Sequence, residues 1–222
     1  MALPVLGIIG GTGDLGTALA GRWLHAGYEV VVGSRVSSRA MEIAAGLRSA
    51  SDRGTIRGAD NVETARNSDI IIIAVPYETQ AAILGEIREY LDGKVVVNTV
   101  VPLNPPKVSV VRLPPAGSAA QEAQDLIGDR ARVVSAFHNV SAAKLKGSTP
   151  VDCDVLVFGD DTDARAEIIR LIERIDLRAI DGGELANSAA AEALTAVLIG
   201  INRRNKIKGA GIRITGFQQP SA

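Results

Sequence analysis

The sequence predicts an α/β fold: a doubly wound, mainly parallel sheet with a small C-terminal extension that ends in a long helix. Three observations predict it. Apolar, β-branched runs alternate with stretches of helical period along the 222 residues. The run from Asp69 to Val75 is apolar without alternation, as in a strand buried on both faces of a parallel sheet. A glycine-rich turn at positions 10–16 joins the first strand to the first helix.

Leu6 to Gly10 is the first strand, and Leu15, Leu19, Trp23 and Leu24 mark one face of a helix from Gly16 to Ala26. Gly27 ends that helix, and Glu29 to Gly33 is the second strand. Ser37 is a candidate cap for a helix running to about Ser49. A polar turn, Ser51 to Gly58, holds a short strand at Thr55 to Arg57, and Val62 to Asn67 reads as helix. After the strand Asp69 to Val75 come a helix from Thr79 to Tyr90 and a strand from Lys94 to Asn98. Prolines at 102, 105, 106, 114 and 115 make Val101 to Gly117 a long irregular loop. Then follow a helix (Ala119–Ile127), a strand (Arg132–Ala136) and a short turn or helix (Ala142–Gly147). Asp154–Phe158, Asp163–Ile175 and Arg178–Ile180 read as strand, helix, strand, and Glu184 to Asn205 as the closing helix. This divides the chain into a nucleotide-binding part, 1–150, and a smaller α/β part, 151–222, packing over a coenzyme cleft.

Charge and composition exclude several functions. A net charge of −1 gives no basic field for a nucleic acid. With 46% hydrophobic residues the chain can bury a large core, and with 3% aromatic residues that core must be aliphatic. The continuous apolar runs fall short of the roughly 18–20 residues that cross a bilayer, so no membrane partner is expected. The start at Met1 and Ala2 lacks a secretory pattern. One cysteine, Cys153, allows neither an internal disulfide nor a Cys/His metal cage, so the expected location is cytoplasmic and no metal site is expected.

Gly11-Thr12-Gly13-Asp14-Leu15-Gly16 fits G-x-G-x-x-G between a strand and a helix, the Rossmann context in which a dinucleotide pyrophosphate meets a helix N-terminus. The first glycine permits the turn, the second the approach of the pyrophosphate, and the third close helix–strand packing. No acid follows the second strand to bind a ribose hydroxyl. Ser34, Arg35 and Arg39 stand there instead, a hydroxyl and two guanidiniums suited to a 2′-phosphate, so NADP(H) is favoured over NAD.

Ligands in such sheets lie beyond the strands' carboxyl ends, which makes Val75-Pro76-Tyr77, Thr99 to Pro102 and Phe137 to Ala142 the candidate walls. Their apolar tips suit hydride transfer, which needs alignment and exclusion of water. His138 is either a donor or proton relay, or a histidine bonded to loop backbone. Tyr77 is either a stacking wall or a core aromatic, and no usable Tyr-x-x-x-Lys exists. Asp160 and Asp161, between a strand and a helix, read as caps before metal ligands.

Taken together, Gly10-Gly-Thr-Gly-Asp-Leu-Gly16, Val32-Gly-Ser-Arg35, Ala74-Val-Pro-Tyr-Glu78, Val100-Val-Pro102, Ser135-Ala-Phe-His138, Val157-Phe-Gly-Asp-Asp161 and Glu192-Ala-Leu-Thr195 carry a resemblance over nearly the full length. The chain resembles the NADPH-dependent reductases of the deazaflavin coenzyme F-420 (F420). The resemblance implies hydride transfer between NADP(H) and F420. It implies Thr12 to Leu15 on the pyrophosphate, Ser34, Arg35 and Arg39 on the 2′-phosphate, and Val75, Thr79, Val101 and Ala142 around the nicotinamide, with Gly11, Gly16, Pro76, Tyr77 and Thr195 as further cofactor-binding residues. His138, Val140 and Ser141 would border the deazaflavin. The cations at 203, 204, 206 and 208 suit either a polyanionic coenzyme tail, with Arg203 and Arg204 as its contacts, or a solvated helix end. Ser141 and Tyr77 stand where family members often carry proline and tryptophan. A homodimer is expected. Two other readings remain: an NADPH-dependent reductase of an imine, a flavin or a ferric chelate, and a non-catalytic NADP(H) sensor.

Overall fold

The structure is a computed structural model and describes residues 3–49, 51, 53–146 and 150–217. The expectations that touch Met1, Ala2, Asp52 and Gly147 lie outside the described residues. The strands are β1 (Leu6–Ile9), β2 (Glu29–Gly33), β3 (Thr55–Ala59), β4 (Ile70–Ile73), β5 (Val95–Asn98), β6 (Arg132–Ser135), β7 (Asp154–Gly159) and β8 (Arg178–Asp181). The helices are α1 (Asp14–His25), α2 (Ser37–Arg48), α3 (Asn61–Arg66), α4 (Tyr77–Ile87), α5 (Ala119–Ile127), α6 (Ala142–Leu145), α7 (Thr162–Glu173) and α8 (Ser188–Asn205).

One eight-stranded sheet runs in the order β3-β2-β1-β4-β5-β6-β7-β8. The first six strands are mutually parallel, with Ile8 between Val32 and Ile72 and Ile72 beside Val97. β7 enters antiparallel to β6, with Ser135 opposite Phe158, and β8 runs parallel to β7. The doubly wound expectation holds through β6. After it β7 runs back the other way: Cys153, just before β7, lies against the Asn139 carbonyl beyond the carboxyl end of β6.

Alternate sheet residues serve opposite layers, as the pleat requires. Leu6, Ile8, Val30, Val32, Ile70 and Ile72 pack with Leu19 and Trp23 of α1 and Ile168 and Ile172 of α7. Ile9, Ile71, Ile73 and Val96 pack with Ile83 and Ile87 of α4 and Ala123 and Ile127 of α5. Each large aliphatic side chain buried this way contributes about 1.5–3 kcal/mol. Trp23 is fully buried, donates from Nε1 to the Leu171 carbonyl at 3.1 Å and meets the Phe137 ring edge-on at 6.0 Å.

Element ends depart from the sequence reading for local reasons. Ser37 does not cap α2: Val36 is the N-cap residue, and Ser34 Oγ accepts from the Val36 amide at 3.2 Å. α4 begins at Tyr77, because Pro76 fixes the turn into it, and ends in a 3-10 turn at Arg88–Tyr90. The closing helix starts as a 3-10 turn, Leu185–Asn187. The segment 99–118 contains neither helix nor strand. Asp161 caps α7 by accepting from the Ala164 amide at 2.7 Å, and Asp160 accepts from the Leu185 amide at 2.9 Å.

Leu185–Asn205 is long and apolar enough to cross a membrane by length and composition, with a mean hydropathy of 1.3. The continuous runs read from sequence did not register it, since Glu192 and Thr195 interrupt it. Both residues bond to other parts of the fold, Glu192 to the α5 N-terminus and Thr195 to the His138 carbonyl. Beyond α8 the chain returns along β7: Asp154 accepts from Arg178 Nε and Nη2 at 2.6 and 2.5 Å and from the Ile214 amide at 2.6 Å. These bonds and the Arg213 guanidinium hold the buried Asp154 carboxyl below the usual range against the opposing effect of burial.

Candidate functional site

The glycine turn leaves β1 through Gly10, whose φ of +78° falls in the left-handed region. Sequence reasoning gave the turn to Gly11; the residue with the special backbone is Gly10, where a Cβ would meet the Ala74 carbonyl at 2.4 Å. Gly16 performs its expected packing role, since a Cβ there would lie 2.6 Å from the Gly10 carbonyl. Gly13 is different: its Cβ would touch only the Gly10 carbonyl, at 3.4 Å, so its outer side is open for a ligand to approach the main chain.

Around this turn the helix ends are left bare. α1, α2 and α4 begin at Gly13, Val36 and Pro76 with no side-chain cap. By contrast α3, α5 and α7 are capped by Asp60, Ser118 and Asp161. Uncapped N-termini carry free N–H groups and a partial positive charge, the arrangement that binds phosphate.

The three bare ends meet in a cleft of about 230 Å³ at the carboxyl edge of the sheet. It brings together eight residues singled out from sequence: Thr12, Gly13, Ser34, Arg35, Arg39, Val75, Pro76 and Thr79. Among the described residues, neither Arg35 nor Arg39 has a carboxylate partner, so both guanidiniums remain free for an anion. A larger hollow, about 400 Å³, lies at the amino ends of β1 and β4 between Pro4, Tyr28 and Arg174. No glycine turn or bare helix end faces it, so the smaller cleft is the functional candidate.

Sequence reasoning missed Asn61. It is 2% exposed, lines the cleft, and its Oδ1 accepts no hydrogen bond among the described residues. A buried acceptor without a donor is costly, and a ligand hydroxyl or amino group would satisfy it. Its place in the first turn of a short helix concealed it.

The remaining expected residues form walls beyond this cleft. Tyr77 donates its hydroxyl to Glu122 Oε2 at 2.9 Å, and burial with the two nearby carboxylates, Glu122 and Glu192, pushes the phenol up to about 12. Behind it Asn98 donates to Gln80 at 2.8 Å, and Gln80 donates to the Ala119 carbonyl at 2.9 Å, fixing the end of β5 from which Thr99 to Pro102 depart. Val101 is half-buried in that segment.

On the β6 side, Phe137 takes a positive φ of 70° and turns the chain so that His138, Val140 and Ser141 follow. His138 is 6% exposed, and burial pushes its imidazole down to about 3, so the ring is neutral. Its Nε2 lies 3.4 Å from Ser135 Oγ and its Nδ1 has no partner among the described residues. Neither ring nitrogen bonds to loop backbone, as the blander reading expected. Ser141 begins α6, with Ala142 its first residue, and a Cβ on Gly209 would meet Ser141 at 2.9 Å and Lys144 at 3.0 Å. The chain after α8 therefore lies against this wall. Thr195 turns its hydroxyl inward to the His138 carbonyl, at 2.9 Å. Arg203 and Arg204 are exposed in the last turn of α8 and do not line the cleft. Lys146 and Asp14 form an ion pair at 2.8 Å that joins the glycine turn to the end of α6. Among the described residues no group of three His, Cys, Asp or Glu could hold a metal ion.

Residues 5–102 match the family described as NADP oxidoreductase, coenzyme F420-dependent. The chain is 40% identical to the F420-dependent NADP reductase of Methanothermobacter marburgensis, over 96% of this chain and 99% of that protein. The F420-dependent NADP reductase of Methanocaldococcus jannaschii is also 40% identical, with the same coverage. A crystal structure from Arthrobacter sp. FB24 shares the fold with a TM-score of 0.83 at 21% identity, covering 97% of this chain and 100% of that one. With two relatives at this identity over almost the whole of both chains, the protein belongs to the F420-dependent NADP reductase family.

Proposed function

We propose that this chain carries out the reaction its family is named for, the transfer of a hydride between NADP(H) and coenzyme F420. The observation that carries the reading is the convergence of three uncapped helix N-termini with Ser34, Arg35 and Arg39 on one cleft. That set fits a dinucleotide with an extra phosphate. The amides of Gly11 to Gly16 would hold the pyrophosphate, with Gly13 giving the close approach, and Ser34, Arg35 and Arg39 the 2′-phosphate.

The nicotinamide and the deazaflavin, when bound, supply the redox chemistry themselves. The chain's part is to align and to keep water out. Val75, Pro76, Tyr77, Thr79, Val101 and Ala142 would frame the nicotinamide, and His138, Val140, Ser141 and Thr195 the deazaflavin. A neutral His138 cannot deliver a proton at physiological pH, so its role here is positioning. Arg203 and Arg204 would meet the anionic tail of F420. Residues 1–150 serve as the nucleotide-binding part, and 151–222 complete the cleft.

The protein is read as a cytoplasmic homodimer with small-molecule coenzymes as its partners. A single cysteine agrees with a reducing compartment. Val197 is 40% exposed on α8, and with Ala190 and Ile201 it forms an apolar stripe that a second copy would cover. The test is to mix the pure protein with oxidised F420 and NADPH, with NADH and free flavin as controls. Loss of deazaflavin absorbance with NADPH supports the reading, and none at any NADPH concentration refutes it.

A further inference from the structure

α8 carries one acid in an otherwise apolar stretch, and that acid is almost wholly enclosed. Glu192 is 1% exposed, and its two oxygens accept from the Ala119 amide at 2.7 Å and the Ala120 amide at 3.1 Å. These are orphan amides at the start of α5, so a side chain from 72 residues further along caps that helix. One turn away, Ser188 donates to Ser118 at 2.9 Å, a second tie between the same two helices.

Both ends of this joint lead to the cleft. From Ala119 the chain of bonds runs through Gln80 to Asn98 and the end of β5. From α8, Thr195 bonds to the His138 carbonyl, and Asn139 Nδ2 donates to the Ala191 carbonyl at 2.9 Å. The walls after β5 and β6 are thus fastened to one helix, with Glu192 at the junction.

We propose that Glu192 is a positioning residue for hydride transfer: its carboxylate locks α5 to α8 and so sets the spacing of the walls after β5 and β6. The assignment rests on the family reaction and adds a residue and a condition to it. The lock is strongest in the ionised form, since both carboxylate oxygens then accept with full charge, whereas in the protonated carboxyl the oxygen that carries the proton is a poor acceptor. The ionisable groups facing it are Glu122 on α5 and Tyr77 on α4. Burial, with Glu122 adding to it, raises the Glu192 carboxyl to about 7, against the lowering effect of the two amides. The lock therefore weakens as pH falls through neutrality.

The experiment follows one transition by two routes. The first is the amide NMR signals of Ala119 and Ala120 in the coenzyme-free protein between pH 5.5 and 8.5, for wild type and Glu192→Gln. The second is the pH dependence of kcat/KM for F420 at saturating NADPH. Both are expected to titrate with a midpoint near 7 in wild type and to lose that titration in Glu192→Gln. The variant should show an F420 KM raised about tenfold at pH 8, with its preference for NADPH over NADH unchanged within about twofold, because Ser34, Arg35 and Arg39 line a cleft that no residue of the joint enters. Amides that do not titrate in wild type overturn the proposal, as does an F420 profile unaltered in the variant. A complete lack of F420 reduction would refute the family reaction instead, and the amide titration in wild type would still decide the lock even if the variant failed to fold.

Discussion

Thr195 donates its hydroxyl to the carbonyl oxygen of His138 at 2.9 Å, fastening α8 to the loop that follows β6. Thr195→Val keeps the shape and removes the bond. We expect a loss of about 1 kcal/mol in denaturant stability and a lower kcat for F420 reduction, with Kd for NADPH retained. An unchanged kcat would show that the loop holds its place without this bond.

Arg35 and Arg39 line the cleft beside Ser34 with no carboxylate partner among the described residues. Replacing both with alanine should raise KM for NADPH by the equivalent of about 1–3 kcal/mol and leave KM for NADH almost unaltered. Equal losses for both nucleotides would remove the 2′-phosphate from this place.

Two glycines of the turn are expected to separate binding from folding. Gly16→Ala forces a Cβ to within 2.6 Å of the Gly10 carbonyl, so it should destabilise the protein in thermal unfolding. Gly13→Ala has room and an ordinary φ of −79°, so it should fold normally. Its methyl group would stand where the pyrophosphate approaches, weakening NADPH binding about tenfold or more by displacing the phosphates from the amides. Normal NADPH affinity in Gly13→Ala would contradict the placement.

The buried pair His138 and Glu192 gives stability an unusual pH dependence. Its slope follows the protons bound by the unfolded chain minus those bound by the native one. His138 falls from 6.5 to about 3 on folding, so between those values only the unfolded state is protonated and stability rises with pH. Glu192 rises from 4.5 to about 7, so between those values only the native state is protonated and stability falls with pH. From pH 4.5 to 6.5 the two oppose each other. His138→Gln should unmask the Glu192 slope, a gain of about 1 kcal/mol per unit of acidification, and Glu192→Gln the reverse. Urea unfolding at pH 5.0, 5.5 and 6.0 measures both, and parallel profiles for wild type and His138→Gln would refute the assignment.

Much of this molecule is legible in its sequence where the controlling signal is local. The strand, glycine turn and helix from Leu6 to His25 follow from apolar pattern and glycine spacing, and Asp161 is recognisable as a cap from its neighbours. Strand direction is not local. The segment from Asp154 to Gly159 has the apolar pattern of a parallel strand, and only its pairing with β6 in the packed fold shows that it runs the other way. Glu192 was hidden for a similar reason, since its partners are amides far away in sequence, and an acid on a helix normally faces water. Asn61 gave no sign beyond its place after a strand, because an unsatisfied acceptor is a property of the packed state.

The most direct test of the central claim, that one cleft holds both rings for direct transfer, is a single turnover with NADPH deuterated at the transferred position and excess oxidised F420. The expected result is a reduced deazaflavin that carries the deuterium, formed with a rate slowed by the heavier isotope or limited by release. Deuterium lost to solvent, or oxidation of NADPH without reduction of F420, would contradict the account.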